Sequence, residues 1–273
     1  MNADNLKKII IKMATKIYQV DAFSEQIFGG NPAAVVPLNS WLPDERLQAI
    51  ALENNLSETA FYVQNEEGFD LRWFTPTTEV ALCGHATLSA AHVLFEEENY
   101  CSNVINFYSR YSGLLKVYRT ANGITLNFPA DEIKKIPLTK ELMEGFQYPP
   151  YEAYMGKTDI ILVFDSEQMI QTMKVAIPAI ERIDARGVII TAPGYQVDFV
   201  SRFFAPKVGV PEDPVTGSAH TSLTVLWSLK MNKTKFVARQ LSKRGGELNC
   251  EILENRVLIT GKAVTYLRGE INY

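Results

Sequence analysis

The first patterned stretch of the chain, Lys16-Ile-Tyr-Gln-Val-Asp-Ala-Phe23, alternates apolar and polar side chains and is rich in strand-forming residues. That period of two predicts a strand with one face packed. The turn residues Gly29-Gly30-Asn31-Pro32 follow, and a second strand is expected over residues 33–37. The pattern then predicts a helix over 43–54, strands over 59–64 and 70–74, a helix over 84–97 and a strand-rich stretch to residue 129. The order then returns. Strands are expected near 160–164, 187–191 and 198–204, a helix over 217–229, and a strand-rich tail to the end.

The repetition extends to the letters. Arg72-Trp-Phe-Thr-Pro76 leads to Gly84-His-Ala-Thr-Leu-Ser-Ala90, and Arg202-Phe-Phe-Ala-Pro206 leads to Gly217-Ser-Ala-His-Thr-Ser-Leu223, with a second loop three residues longer. Two short matches in one order at nearly one offset point to an internal duplication, although convergent strand-loop-helix units would give similar letters. Both repeated helices are almost free of charge around their circumference, so each is expected to be buried on all sides. Strand-rich segments before and after each one then predict a sheet wrapped round a central helix, once per half. The expected class is α+β in two pseudo-symmetric domains, residues 13–127, completed by the terminal strand 265–273, and residues 128–264. Residues 1–12 precede the first patterned strand and are expected to be dispensable.

Composition narrows the function classes. At 273 residues, 47% hydrophobic and 21% charged, the chain can bury a sizeable core. A net charge of -4 without a dense Lys/Arg cluster leaves no electrostatic footprint for nucleic acid. No apolar run approaches the roughly 18 residues of a membrane span and no signal-peptide pattern is visible, so a cytoplasmic enzyme is the expectation. Cys83, Cys101 and Cys250 lack CxxC spacing, and the motifs HExxH, GxGxxG and the Walker loop are absent, so neither a metal nor an organic cofactor is expected.

Both repeated helices begin at a glycine behind a Pro-containing loop, which leaves free backbone N–H groups at each N-terminus. If the halves face each other, the two N-termini converge on one cleft suited to a carboxylate or a developing enolate. Read without chemistry, such glycines only make tight turns. His85 follows Gly84, and Asp213, Ser218 and His220 surround Gly217, a concentration of proton-moving groups in a chain with three histidines. His92, seven positions on, reads as a core residue. Glu58, at a helix-to-strand junction, is placed for partial desolvation and proton transfer, or else simply caps or is solvated. Cys83 sits just before Gly84, where a helix N-terminus favours thiolate, but its equivalent is Thr216, so a two-thiol racemase would lack its second thiol.

Taken together, Asp21-Ala-Phe23, Gly30-Asn-Pro32, Asn55-Leu-Ser-Glu58, Phe74-Thr-Pro-Thr-Thr-Glu79, Cys83-Gly-His-Ala86, Glu212-Asp-Pro-Val-Thr-Gly-Ser218, Arg244-Gly-Gly-Glu-Leu248 and Leu267-Arg-Gly-Glu270 resemble the PhzF-like isomerases of phenazine biosynthesis. The resemblance spans residue 16 to the end. It implies the diaminopimelate-epimerase-like fold, a reaction without metal or organic cofactor, and a homodimer. It also implies Glu58 as the acid/base moving a proton along an allylic substrate, with His85, Asp213 and Ser218 holding that substrate. The backbone N–H groups of Gly84, Gly217 and Ser218 would receive its carboxylate. Cys83 and Pro214-Val215 depart from the phenazine enzyme's pattern, which separates the phenazine substrate from the acid/base pattern. The expected function is a one-base isomerase of a small carboxylate. A two-base amino-acid epimerase or racemase and a non-catalytic small-molecule-binding relative are the alternatives.

Overall fold

The structure is a computed structural model and describes residues 14–273; the expectation for residues 1–12 lies outside the described residues. Its strands form one continuous ladder in two parts. In the first part the order is Ala263–Asn272, Ala14–Ala22, Asn31–Leu38, Glu58–Gln64, Phe69–Phe74, Val104–Ser109, Gly113–Thr120 and Gly123–Pro129. In the second it is Lys134–Ile136, Glu152–Met155, Asp159–Val163, Gly187–Pro193, Phe199–Ala205, Lys235–Gln240, Gly246–Leu253 and Arg256–Gly261.

The two parts use the same sequence of pairings. Each has a parallel pair near its middle, Asn31–Leu38 with Glu58–Gln64 and Asp159–Val163 with Gly187–Pro193. Each has a second parallel contact between the strands that precede and follow its central helix in the chain, and antiparallel pairs elsewhere. They join where Gly123–Pro129 and Arg256–Gly261 run antiparallel, with Thr125 opposite Thr260 and their hydroxyls 2.7 Å apart.

The repeated Arg-x-Phe-x-Pro letters have a common physical basis. Arg72 makes a two-pronged ion pair with Glu79 and lies 5.0 Å over the Phe74 ring; Arg202 does the same with Glu212 and lies 5.1 Å over Phe204. A planar guanidinium satisfies a carboxylate fork and covers an aromatic face at once, which lysine cannot do. These pairs tie each strand to the loop that delivers its central helix.

The first central helix, Gly84–His92, continues as a π-helical turn over Val93–Glu97. Residues 85–92 are all buried, as the charge-free pattern predicts. The second, Gly217–Met231, departs from that expectation. Ser218, Thr221, Val225 and Ser228 are half-buried, and Leu229 is 73% exposed. Small hydroxyl and β-branched side chains are tolerated in both settings, so a lack of charge does not distinguish them.

Strands Asn31–Leu38 and Asp159–Val163 are covered on both faces. One side meets the core around the central helices. The other meets an outer layer: the helix Asp44–Asn54 through Leu47, Ile50 and Ala51 in the first part, and short helices over Lys140–Glu144, Glu167–Thr172 and Ile177–Ile180 in the second. The predicted helix 43–54 therefore begins one residue late, with Pro43 at its N-cap. Among the described residues no helix is long and apolar enough to cross a membrane.

Candidate active site

The site forms where the two central helices meet end to end. Gly84 and Gly217 are their first residues, and a Cβ placed on either glycine would stand 3.6 Å from the Cα of the other. Cys83 and Thr216 are the two N-caps, both extended and neither capping with its own side chain. The first-turn N–H groups of both helices therefore face one place, and their dipoles add there.

Glu58 reaches this place through local chain geometry. Helix Asp44–Asn54 ends at Asn55 in the left-handed conformation (φ 49°), and three residues later Glu58 opens its strand. Its Oε2 lies 3.1 Å from His85 Nε2 as a buried ion pair, and neither atom has a further hydrogen-bond partner. On the other edge of the ring, His85 Nδ1 lies 3.5 Å from Cys83 Sγ and 3.2 Å from Asn31 Nδ2.

Asp213 arrives from the second half, at the end of strand Val210–Asp213. Asn31 joins it to the first half: its side-chain amide donates to Asp213 Oδ1 at 2.9 Å and to the Val215 carbonyl at 2.9 Å. Those two acceptors fix the amide's orientation, because turning it over would set its oxygen against theirs. Thr216 Oγ1 donates to Asp213 Oδ2. Gln240 closes the network, its amide donating to the Asp213 carbonyl at 2.7 Å and accepting from Thr216 N–H at 2.9 Å.

Burial dominates the acid/base balance. It raises the Asp213 carboxyl above its ordinary value, against the opposing pull of His85 and the hydroxyl of Thr216. It also raises the Cys83 thiol, with the nearby Glu58 charge adding to the effect. This corrects the expectation that the helix N-terminus makes Cys83 a thiolate, since desolvation outweighs the dipole. Burial alone would lower His85, but its interactions with Cys83 and Glu58 outweigh it and hold the imidazole well above its usual range.

Of the residues expected at the site, Glu58, His85 and Asp213 are brought together, and Gly84 and Gly217 form its floor. Ser218 lies beside them with Oγ accepting from Arg186 at 3.0 Å. His220 does not belong to the cluster. Its Nδ1 faces the Thr216 carbonyl at 2.8 Å, its ring stacks on Phe199, and the residue is fully buried. His92 is a core residue, with Nε2 2.9 Å from Thr265 Oγ1.

Neither Asn31, which the sequence places only in a turn motif, nor Gln240 is expected at the site from the sequence. A signal existed for Gln240, which falls on the inward parity of its strand with Phe236 and Ala238 and is fully buried, where an unpaired amide would be costly. A groove of about 770 Å³ lies elsewhere and includes Arg119, Asn127, Lys235 and Glu251 but none of the site residues.

Comparison with known proteins identifies the family and the fold. Residues 20–269 match the model of the phenazine biosynthesis-like PhzC/PhzF family. A Pseudomonas aeruginosa protein described as an uncharacterized isomerase is 50% identical over 260 residues, covering 95% of this chain and 99% of its own. The crystal structure of a PhzF-family protein from Enterococcus faecalis superposes with a TM-score of 0.93 at 44% identity, covering 96% of this chain and all of that one. A hydroxyproline epimerase from Agrobacterium vitis shares the fold at a TM-score of 0.63 and 10% identity, covering 96% of this chain and 93% of its own. The α+β architecture is thus the diaminopimelate-epimerase-like fold.

Proposed function

Because the chain belongs to the PhzC/PhzF family and is an isomerase, we propose that it moves a proton on a small carboxylate-bearing substrate with Glu58 as its single acid/base. One observation carries the reading. Glu58 Oε2 and His85 Nε2 form a buried pair 3.1 Å apart with no further hydrogen-bond partner, beside two abutting helix N-termini. A buried acid/base pair with unused hydrogen-bonding capacity, set against two helix N-termini, is the arrangement expected of a proton-transfer site.

In this reading the substrate carboxylate rests on the N–H groups of Gly84, Gly217 and Ser218. Glu58 takes a proton from one carbon, and the helix N-termini stabilise the charge that develops on the delocalised anion. Glu58 then returns the proton to a second carbon on the same face. His85 and Asp213 hold the substrate, and Asn31 keeps the two at a fixed separation.

A two-base route fits less well, because Thr216 stands at the cap opposite Cys83 and its hydroxyl is already donated to Asp213. Residues 13–127 completed by 265–273 are assigned to one domain and 128–264 to the other. The pairing of Ala14–Ala22 with Ala263–Asn272 supports that division. The assembly implied by the family resemblance is a homodimer.

The test is Glu58→Gln, assayed on a carboxylate found by screening for deuterium uptake from solvent. Turnover falls by roughly 10² to 10⁴, while binding of the same carboxylate largely survives. Normal turnover by this variant overturns the assignment. Label entering only the α-position of an amino acid favours the two-base reading instead.

A further inference from the structure

Glu58, Cys83 and His85 each offer a donor atom, and those three atoms lie within 4.8 Å of one another. Carboxylate, thiolate and imidazole are the ligand types that zinc takes, and three protein ligands with one position left open are typical of exchangeable and catalytic zinc sites. His85 Nε2 and Glu58 Oε2 are buried 3.1 Å apart and have no hydrogen-bond partner beyond each other. His85 itself is 5% exposed. The Asp213 carboxyl adjoins the cluster through Asn31, and the guanidinium groups of Arg186 and Arg244 are engaged by Asp159 and Asp21.

We propose that Glu58, Cys83 and His85 form a binding site for a thiophilic divalent cation of the zinc class, and that the bound cation blocks isomerisation by occupying the Glu58 oxygen that carries the proton. The binding rests on the three donors alone; the inhibition rests on the acid/base reading of Glu58. On binding, the Cys83 S–H bond and an N–H bond of the His85 imidazolium break, the sulfur and the freed ring nitrogen bond to the metal, and both protons leave to solvent.

Bonds of about 2.0–2.3 Å set the ligand atoms of a tetrahedral zinc roughly 3.3–3.8 Å apart. The Glu58–His85 pair is already slightly inside that spacing, so the wider contact closes by about 1 Å, within reach of side-chain rotation. The thiolate discriminates against magnesium and calcium, which prefer oxygen ligands.

Cobalt(II) is the probe, added to the full chain and then displaced by zinc. One equivalent is expected to bind and produce a thiolate-to-cobalt charge-transfer band in the near ultraviolet, with magnesium producing no competition. Cys83→Ala should abolish the band and weaken binding at least tenfold, and Cys83→Ser, which is nearly isosteric, covers the case in which the alanine variant fails to fold. Cys101→Ala, at an exposed thiol, serves as the control and keeps the band. No band in the parent chain, or a band that survives loss of Cys83, overturns the site. The second arm measures turnover, which zinc should suppress and a chelator restore. If cobalt binds through Cys83 while turnover continues unchanged, the metal site stands and the inhibition fails together with the one-base reading.

Discussion

Replacing Asn31 with alanine tests the central geometric claim, that one amide holds the site's two halves in register. Asn31 is fully buried and donates two bonds of 2.9 Å, one to the Asp213 carboxyl and one to the Val215 carbonyl, residues 182 and 184 positions away in the chain. A bond to a charged acceptor is worth about 1.5–3 kcal/mol and a neutral one about 0.5–1.5, and both acceptors remain buried when the amide is removed. Water entering the vacated polar space recovers part of the loss, which leaves about 2–4 kcal/mol. For a chain of this size that corresponds to a fall in Tm of roughly 5–15 °C. Ser57→Ala is the internal comparison. Its bond to Asn31 Oδ1 is 3.5 Å long, at the edge of a hydrogen bond, so it costs under about 0.5 kcal/mol. Urea unfolding of the three proteins, followed by circular dichroism, gives the differences directly. If Asn31→Ala matches Ser57→Ala within about 0.5 kcal/mol, the amide does not bridge the halves and the argument fails.

Two further perturbations probe what surrounds the site. Arg244 donates to Asp21, which is 1% exposed, and to the carbonyls of Gly29 and Gly30, so Arg244→Ala leaves a buried carboxylate unpaired. Because the guanidinium is itself partly exposed, the expected cost is roughly 2–4 kcal/mol, below the full value for a dry pair; a urea midpoint unchanged by the substitution refutes it. Burial lowers His220 from 6.5 to about 4, with only the Thr216 carbonyl opposing. Its neutral form is the folded one, so the unfolded chain binds the extra proton between those values. This contribution to stability is complete above pH 6.5 and is lost as pH falls toward 4, reaching about 3 kcal/mol at most. His220→Leu should flatten the stability profile in that window, and an unchanged slope would show that His220 does not titrate there.

The long elements were legible because period and charge report burial directly. The helix predicted over 84–97 is realised as an α-helix with a π-helical final turn, and the one predicted over 217–229 runs two residues further, to Met231. Helices of four to six residues, such as Ile177–Ile180 and Glu167–Thr172, are too short to establish a period, although Ser166 does cap the latter by accepting from Met169 N–H. At the site, scarcity was informative: with three histidines in the chain, His85 beside a glycine-started helix stood out.

What stayed hidden was the chemistry that depends on which side chains face each other across the join. Cys83 illustrates this. A position before a helix N-terminus argues for thiolate, but whether that dipole or the dehydration of the sulfur prevails is decided by residues brought from elsewhere. Asn31 illustrates it more sharply. It sits in a turn motif that reads as Gly-Asn-Pro and gives no hint of a buried donor, because both its strong acceptors belong to the second half. A lone amide in a turn is ordinarily solvated. Here the second half arrives over it, and the same amide becomes the link between Asp213 and the His85 edge of the cleft.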